Sequence, residues 1–149
     1  MYKHILVPTD GSPLSLKAAK AAAELARTLH ANVTALYVIP PYMPQTPVED
    51  AMLYSQAYTP EKYRQAAEKS AKEALSKIEE AASDANVKVG KLFITNEHPW
   101  QGIIDTAKSK KCDLIVMASH GRKGFKRILL GSETQHVLTH SSIPVLVLR

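Results

Sequence analysis

The chain has 149 residues, of which 45% are hydrophobic and 22% charged, the proportions of an ordinary globular protein of one domain. Its single cysteine, Cys112, excludes an internal disulfide, and no uninterrupted apolar run approaches the roughly 20 residues that span a bilayer. The net charge of +5 favours anionic partners in general, but 14 acidic residues are mixed among the 19 basic ones, which argues against a dedicated nucleic-acid binder.

The chain opens on Met1-Tyr2-Lys3-His4-Ile5, without the apolar core and small-residue cleavage site of a secretion signal, so a soluble, cytoplasmic protein is expected. Residues 4–8 (HILVP) read as the first strand, and residues 13–29 as an alanine-dense helix able to lie close to a sheet. Ser12 can cap that helix, and Pro13 suits its first position, where no N–H bond is lost. Residues 33–39 (VTALYVI) form the second strand. The segment 40–60, with five prolines and three tyrosines, is a long irregular connection of the kind that serves as a lid, a mobile loop or a partner surface.

A second helix over 61–84 places Tyr63, Ala67, Ala71, Ala74, Ile78 and Ala82 on one stripe, with Glu68–Lys72 and Glu73–Lys77 spaced to pair on the wet side. The third strand, 87–94, alternates and carries Lys88 and Lys91, which places it at a sheet edge. A helix over 99–110 buries Ile103, Ile104 and Ala107. Strands follow at 114–118 (LIVMA) and 144–148 (PVLVL), separated by a helix over 132–140. That helix starts Ser132-Glu133-Thr134-Gln135, a capping-box pattern. Strands and helices alternate, and the apolar runs match strands buried on both faces, so a parallel sheet with right-handed crossovers is expected.

Open parallel sheets bind ligands beyond the carboxyl ends of their strands. The residues there are Pro8-Thr9-Asp10-Gly11-Ser12, Val38-Ile39-Pro40 and Ala118-Ser119-His120-Gly121, the last running on through a basic turn, Arg122-Lys123-Gly124-Phe125-Lys126-Arg127, to Leu130-Gly131-Ser132. A helix N-terminus presents unpaired N–H groups and a partial positive charge, which suits a phosphate. Gly121 and Gly131 let the backbone approach an anion, Ser132 can donate its hydroxyl, and Arg122 can flank a polyphosphate. Asp10 beside a phosphate requires a bridging Mg²⁺ or Mn²⁺, unless it binds a ribose hydroxyl instead.

Plainer readings stand beside these. Ser132 serves equally as a helix cap, and Asp10-Gly11 as an ordinary turn. Ser119 and His120 are adjacent, a poor arrangement for a nucleophile and its base, and no third member is evident. His98, His136 and His140 read as surface or helix-terminus residues rather than zinc ligands, Trp100 as packing, and Cys112 as a small apolar filler.

Taken together, the segments resemble the universal stress protein family. Members that bind ATP carry glycine, two residues, glycine, nine residues, then glycine and serine or threonine. Gly121 and Gly131-Ser132 match with nine residues between the glycines, whereas Ala118 stands at the position of the first glycine. Ile5-Leu6-Val7-Pro8-Thr9-Asp10-Gly11-Ser12 and Ile143-Pro144-Val145-Leu146-Val147 also look like the family's terminal strands, so the similarity spans nearly the whole chain. A second departure is Glu97-His98-Pro99, where members often have a glycine two residues before the proline. The resemblance implies one α/β domain over 1–149: a three-layer, doubly wound, Rossmann-like fold with five parallel strands in the order 3-2-1-4-5 and four helices. It implies an adenine nucleotide, ATP or AMP, with Mg²⁺ or Mn²⁺, between the first and fourth strands. The residues it points to are Pro8, Thr9, Asp10, Val38, Met117, Ala118, Gly121, Arg122, Gly131, Ser132 and Glu133, with Val38 by the adenine and Gly121, Arg122, Gly131 and Ser132 by the phosphates. It also implies a homodimer through strand 144–148, whose bare edge is a liability in a monomer.

The function implied is a nucleotide-dependent stress-response or signalling module. Two alternatives are a nucleotide-free homodimeric interaction protein, favoured by Ala118, and a slow ATPase. The chain lacks the phosphate loop with its lysine that marks many nucleotide hydrolases, and shows no base placed to activate a water.

Overall fold

The computed structural model describes residues 1–43, 59–121 and 130–149. Five strands form one parallel sheet: β1 (His4–Pro8), β2 (Asn32–Ile39), β3 (Val89–Thr95), β4 (Leu114–Ala118) and β5 (Val145–Leu148), in the order β3-β2-β1-β4-β5. Among the described residues four helices connect them: α1 (Pro13–Leu29), α2 (Pro60–Ser83), α3 (Pro99–Ser109) and α4 (Ser132–His140). The α/β architecture, the strand order and the edge position of β3 all agree with expectation, and element ends differ from the sequence reading by at most two residues.

The sheet is covered on both faces. On one side Ile5, Val7, Val33, Leu114 and Val116 meet Ala19, Ala22 and Ala26 of α1 and Leu75 and Ile78 of α2. On the other, Leu6, Leu36, Ile115 and Met117 meet Ile103 and Ala107 of α3 and Val137 of α4. Neighbouring residues of one strand thus point into different cores, which is why β4, and β1 from Ile5 onward, are apolar instead of alternating. The alanines of α1 bring its backbone against the sheet without overpacking it.

Helix ends follow local chemistry. Ser12 caps α1, its hydroxyl accepting from the Ser15 N–H at 3.3 Å, with Pro13 at the first turn. Thr59 does the same for α2 with Lys62 N–H. After α1, α2 and α3 the chain turns through His30, Asn86 and Lys111, all at positive φ (54°, 56° and 55°), where glycine is the usual choice. Asp113, ahead of β4, accepts from the N–H groups of Lys3 (3.0 and 2.8 Å) and His4 (2.9 Å), joining the entrances of β1 and β4.

Two local expectations are corrected. Glu68 pairs with Arg64 (3.1 Å) instead of Lys72, because Arg64 also reaches Glu61 and so lies along that side of α2. The cap of α4 is Gly131, not Ser132, which is the first helical residue; among the described residues no side chain caps this end. The Gly131 N–H donates to the Ser119 carbonyl at 2.7 Å, and this fixes where the helix begins. No helix among the described residues is long and apolar enough to cross a membrane.

Candidate functional site

The chain winds outward from β1 through β2 to β3, then crosses back to β4 and β5, so the strand order reverses between β1 and β4. Their carboxyl ends leave the crevice in which such sheets bind ligands. Three pieces of chain meet there: the loop after β1, the loop after β4, and the start of α4.

The β1 loop is tied by its own side chains. The Thr9 N–H donates to the Leu36 carbonyl (2.8 Å), and its hydroxyl meets the Ser15 hydroxyl (2.9 Å) while accepting from Gly11 N–H (3.0 Å). Thr9 is 8% exposed, so its polar atoms are spent inside the protein. Asp10 is half-buried, and its Oδ1 accepts from Ser12 N–H at 3.0 Å. Gly11 adopts φ 79°, the conformation that makes a glycine necessary at this turn. The expected turn and the candidate ligand position at Asp10 are therefore one structure.

The β4 loop packs directly against it. A Cβ on Gly121 would lie 2.5 Å from Asp10 Oδ2, so the space released by this glycine is filled by the Asp10 carboxylate. A Cβ on Gly131 would lie 3.2 Å from His120 Cα and 3.5 Å from the Ser119 carbonyl oxygen, so the glycine lets α4 start close against the end of β4. Both glycines of the motif thus answer a packing demand within the chain, in addition to any demand from a ligand.

Ala118 ends β4 in regular parallel pairing with Leu148, and its carbonyl accepts from the Thr134 hydroxyl at 2.9 Å. It is not among the residues with positive φ, so its methyl causes no backbone strain. Ser119 is 1% exposed; its N–H reaches the Leu148 carbonyl at 2.7 Å and its hydroxyl lies 3.1 Å from His120 Nδ1. Its backbone also accepts from Gly131, so Ser119 joins β4, β5 and α4 and is buried where a nucleophile needs access. This joining role carried no sequence signal, since it depends on backbone atoms.

Pro8 is buried at the end of β1, and Met117, 6% exposed, lies in the core on the α3 and α4 side. Val38, at the carboxyl end of β2, is half-buried on that same side. Ser132 is exposed on the first turn of α4. Glu133 is engaged within the chain: its Oε2 accepts from the Trp100 N–H at 2.7 Å and so supplies the acceptor that the first turn of α3 lacks locally. Arg122 and the rest of the basic turn lie outside the described residues, as does most of segment 40–60. The beginning of that segment is held by Tyr63, whose hydroxyl donates to the Pro40 carbonyl at 2.7 Å.

The four helix starts differ in one respect that matters for anions. Among the described residues, α1 has Ser12, α2 has Thr59 and α3 has Glu133 as side-chain acceptors, whereas α4 has none. Its first amides have no intrahelical partner and carry the positive end of the helix dipole. Away from the crevice, burial, with Asp113 nearby, pushes the Cys112 thiol up to about 11, which makes it a filler and not a nucleophile.

The model of the universal stress protein family matches residues 1–149. Universal stress protein MJ0531 of Methanocaldococcus jannaschii is 36% identical over 151 residues, covering 100% of this chain and 83% of that protein. The solved structure of universal stress protein UspA from Lactobacillus plantarum is 30% identical and superimposes with a TM-score of 0.78 over 99% of this chain and 98% of that one. The same fold, at 22% identity and a TM-score of 0.73, is seen in a universal stress protein crystallised with cAMP, covering 99% and 97% of the two chains. It recurs at 21% and 0.70 in one from Archaeoglobus fulgidus crystallised with dAMP, covering 99% and 98%. With a match along its full length, and with the strand order and crevice described above, the chain belongs to the universal stress protein family.

Proposed function

We propose that the crevice between β1 and β4 binds an adenine nucleotide, ATP in the first instance, and that occupancy alters the surface the protein presents to partners. One observation carries this reading: among the described residues the first turn of α4, unlike the other helix starts, has no side-chain acceptor, and its cap Gly131 packs on His120, the neighbour of the Gly121 that meets Asp10. The nucleotide complexes of two family members support the ligand class. The amides and hydroxyl at Ser132 would take phosphate oxygens. Asp10 would meet a ribose hydroxyl, or a Mg²⁺ or Mn²⁺ ion arriving on the phosphates, since such cations take oxygen ligands. Val38 would lie toward the base.

Pairing of two copies through β5 belongs to the same proposal. β5 is a sheet edge whose Leu146 is 44% exposed, and an unpaired apolar edge is stabilised by a second strand.

The test is calorimetric titration with Mg·ATP and AMP, using Ser132→Pro. Proline is welcome at the first helical position, and Gly131 has the extended backbone (φ −71°, ψ 157°) that precedes it comfortably. The substitution removes one amide donor and the hydroxyl while leaving the helix intact. Losing a charge-assisted hydrogen bond worth about 1.5–3 kcal/mol weakens ATP binding roughly 10–100-fold. No heat from wild type with any adenine nucleotide at millimolar concentration overturns the reading, and unchanged affinity in S132P overturns the role given to the start of α4.

A further inference from the structure

Outside the crevice, imidazoles gather around the chain's single tryptophan. The Trp100 ring lies 4.7 Å from that of His140, 5.5 Å from His136 and 6.3 Å from His98, and the rings of His136 and His140 are 6.0 Å apart. His136 and His140 are exposed and stand one turn apart on α4, so both side chains project from one face.

We propose that His136 and His140 form a two-imidazole site for a divalent late transition-metal ion, Cu²⁺ or Ni²⁺, walled on one side by Trp100. Three features carry it. His140 Nδ1–H donates to the His136 carbonyl at 2.9 Å, which fixes the tautomer and leaves Nε2 with its lone pair outward. Ligating histidines commonly make this second hydrogen bond, because it orients the ring and raises its basicity. The Trp100 contacts to both rings limit the rotamers that must be frozen on binding. His140 is also the last residue of α4, where the negative end of the helix dipole favours a cation.

Among the described residues no three histidine, cysteine, aspartate or glutamate side chains are grouped around one point, and Glu133 is engaged with the Trp100 N–H. Water therefore completes the coordination sphere. Copper and nickel accept such nitrogen–oxygen sets in tetragonal geometry, and copper stands above its neighbours in affinity. The site is an exchangeable one, unlike a closed structural zinc centre.

Trp100 reports on the site directly, because bound Cu²⁺ quenches an indole this close. Titration of the full chain with Cu²⁺ is expected to give saturable quenching with one ion per chain. His136→Asn and His140→Asn each weaken it by at least the roughly 10–100-fold that losing an outer-shell partner costs a metal site. His98→Asn leaves it unchanged. Both ligand positions are exposed, and circular dichroism with a thermal melt checks that the variants stay folded. A parallel melt with Ni²⁺ raises the midpoint in wild type and in neither ligand variant, as expected for an ion that binds the native state. Non-saturating quenching in wild type, quenching equal in all variants, or loss with His98→Asn as large as with His140→Asn each overturns the assignment.

Discussion

The contact between Gly121 and Asp10 makes a prediction independent of any ligand. A Cβ at position 121 would sit 2.5 Å from Asp10 Oδ2, so that oxygen must move by about 0.9 Å to reach the 3.4 Å at which ordinary contact begins. Asp10 cannot swing freely, because its Oδ1 accepts from Ser12 N–H at 3.0 Å. Gly121→Ala therefore overpacks the loop and loosens that bond, at a cost of about 1–2 kcal/mol. Only Gly11 among the described glycines has positive φ, so alanine is acceptable to the backbone at 121. Once Asp10 is shortened to alanine the clash disappears, and Gly121→Ala should become neutral or stabilising by about 0.4–1 kcal/mol through the unfolded state.

The sign of one substitution thus reverses with its neighbour, a coupling energy of about 2 kcal/mol. Urea denaturation of wild type, G121A, D10A and the double variant measures it. Effects that add to within about 0.5 kcal/mol would refute the contact.

Other consequences follow from the same geometry. Asp113→Ala removes the acceptor for Lys3 and His4 N–H and costs about 2 kcal/mol in the same denaturation assay, the exposed amides recovering part of the loss from water. Desolvation raises the Asp113 pKa, but the hydrogen bonds from His4 and Lys3 outweigh it and hold the carboxyl below its ordinary value. Its contribution is therefore complete above about pH 3.9 and falls away as acid protonates it, so D113A should flatten the acid side of the stability profile. Lys111→Gly relieves a positive φ of 55° and should stabilise by about 0.5–1 kcal/mol, measured as a higher urea midpoint. With its pKa near 11, Cys112 should react with a thiol reagent at neutral pH only as fast as the protein unfolds; prompt labelling of the native protein would contradict its burial.

The fold was largely legible because its signals are local. Alternating apolar runs and helices imply a parallel sheet, Lys88 and Lys91 mark an edge, and Ser12-Pro13 marks a helix start. The site was legible as a neighbourhood but not as contacts. Ser132 reads as a cap because serine with glutamine three residues on is a capping pattern, yet a backbone bond from Gly131 to Ser119 shifts the helix start by one residue. Glu133 reads as a crevice residue by position, but the amide of Trp100, 33 positions away in sequence, takes its carboxylate. No pattern within a single helix encodes either partner. Likewise Lys91 reads from sequence only as an edge marker, and the packing of α2 beside β3 is what lets it reach Glu79.

The motif glycines bring these levels together. On sequence their value lies in letting a backbone approach a phosphate, and a bulky substitution is the obvious test of binding. In the structure Gly121 is roofed by the Asp10 carboxylate, and Gly131 is pressed against the His120 backbone. Gly131→Val would therefore displace the start of α4 even in a protein that bound nothing, and lost binding would report the displaced helix as much as the lost contact. Ser132→Pro separates the two causes, because it deletes a donor at a position where proline fits the helix. If G131V loses ATP binding while S132P keeps it, the glycine acts by placing α4 against β4, and the phosphate lies elsewhere along the crevice. If both lose it while S132P melts like wild type, the amides of the α4 start are the ligands, and the glycines are the reason those amides stand where a phosphate can reach them.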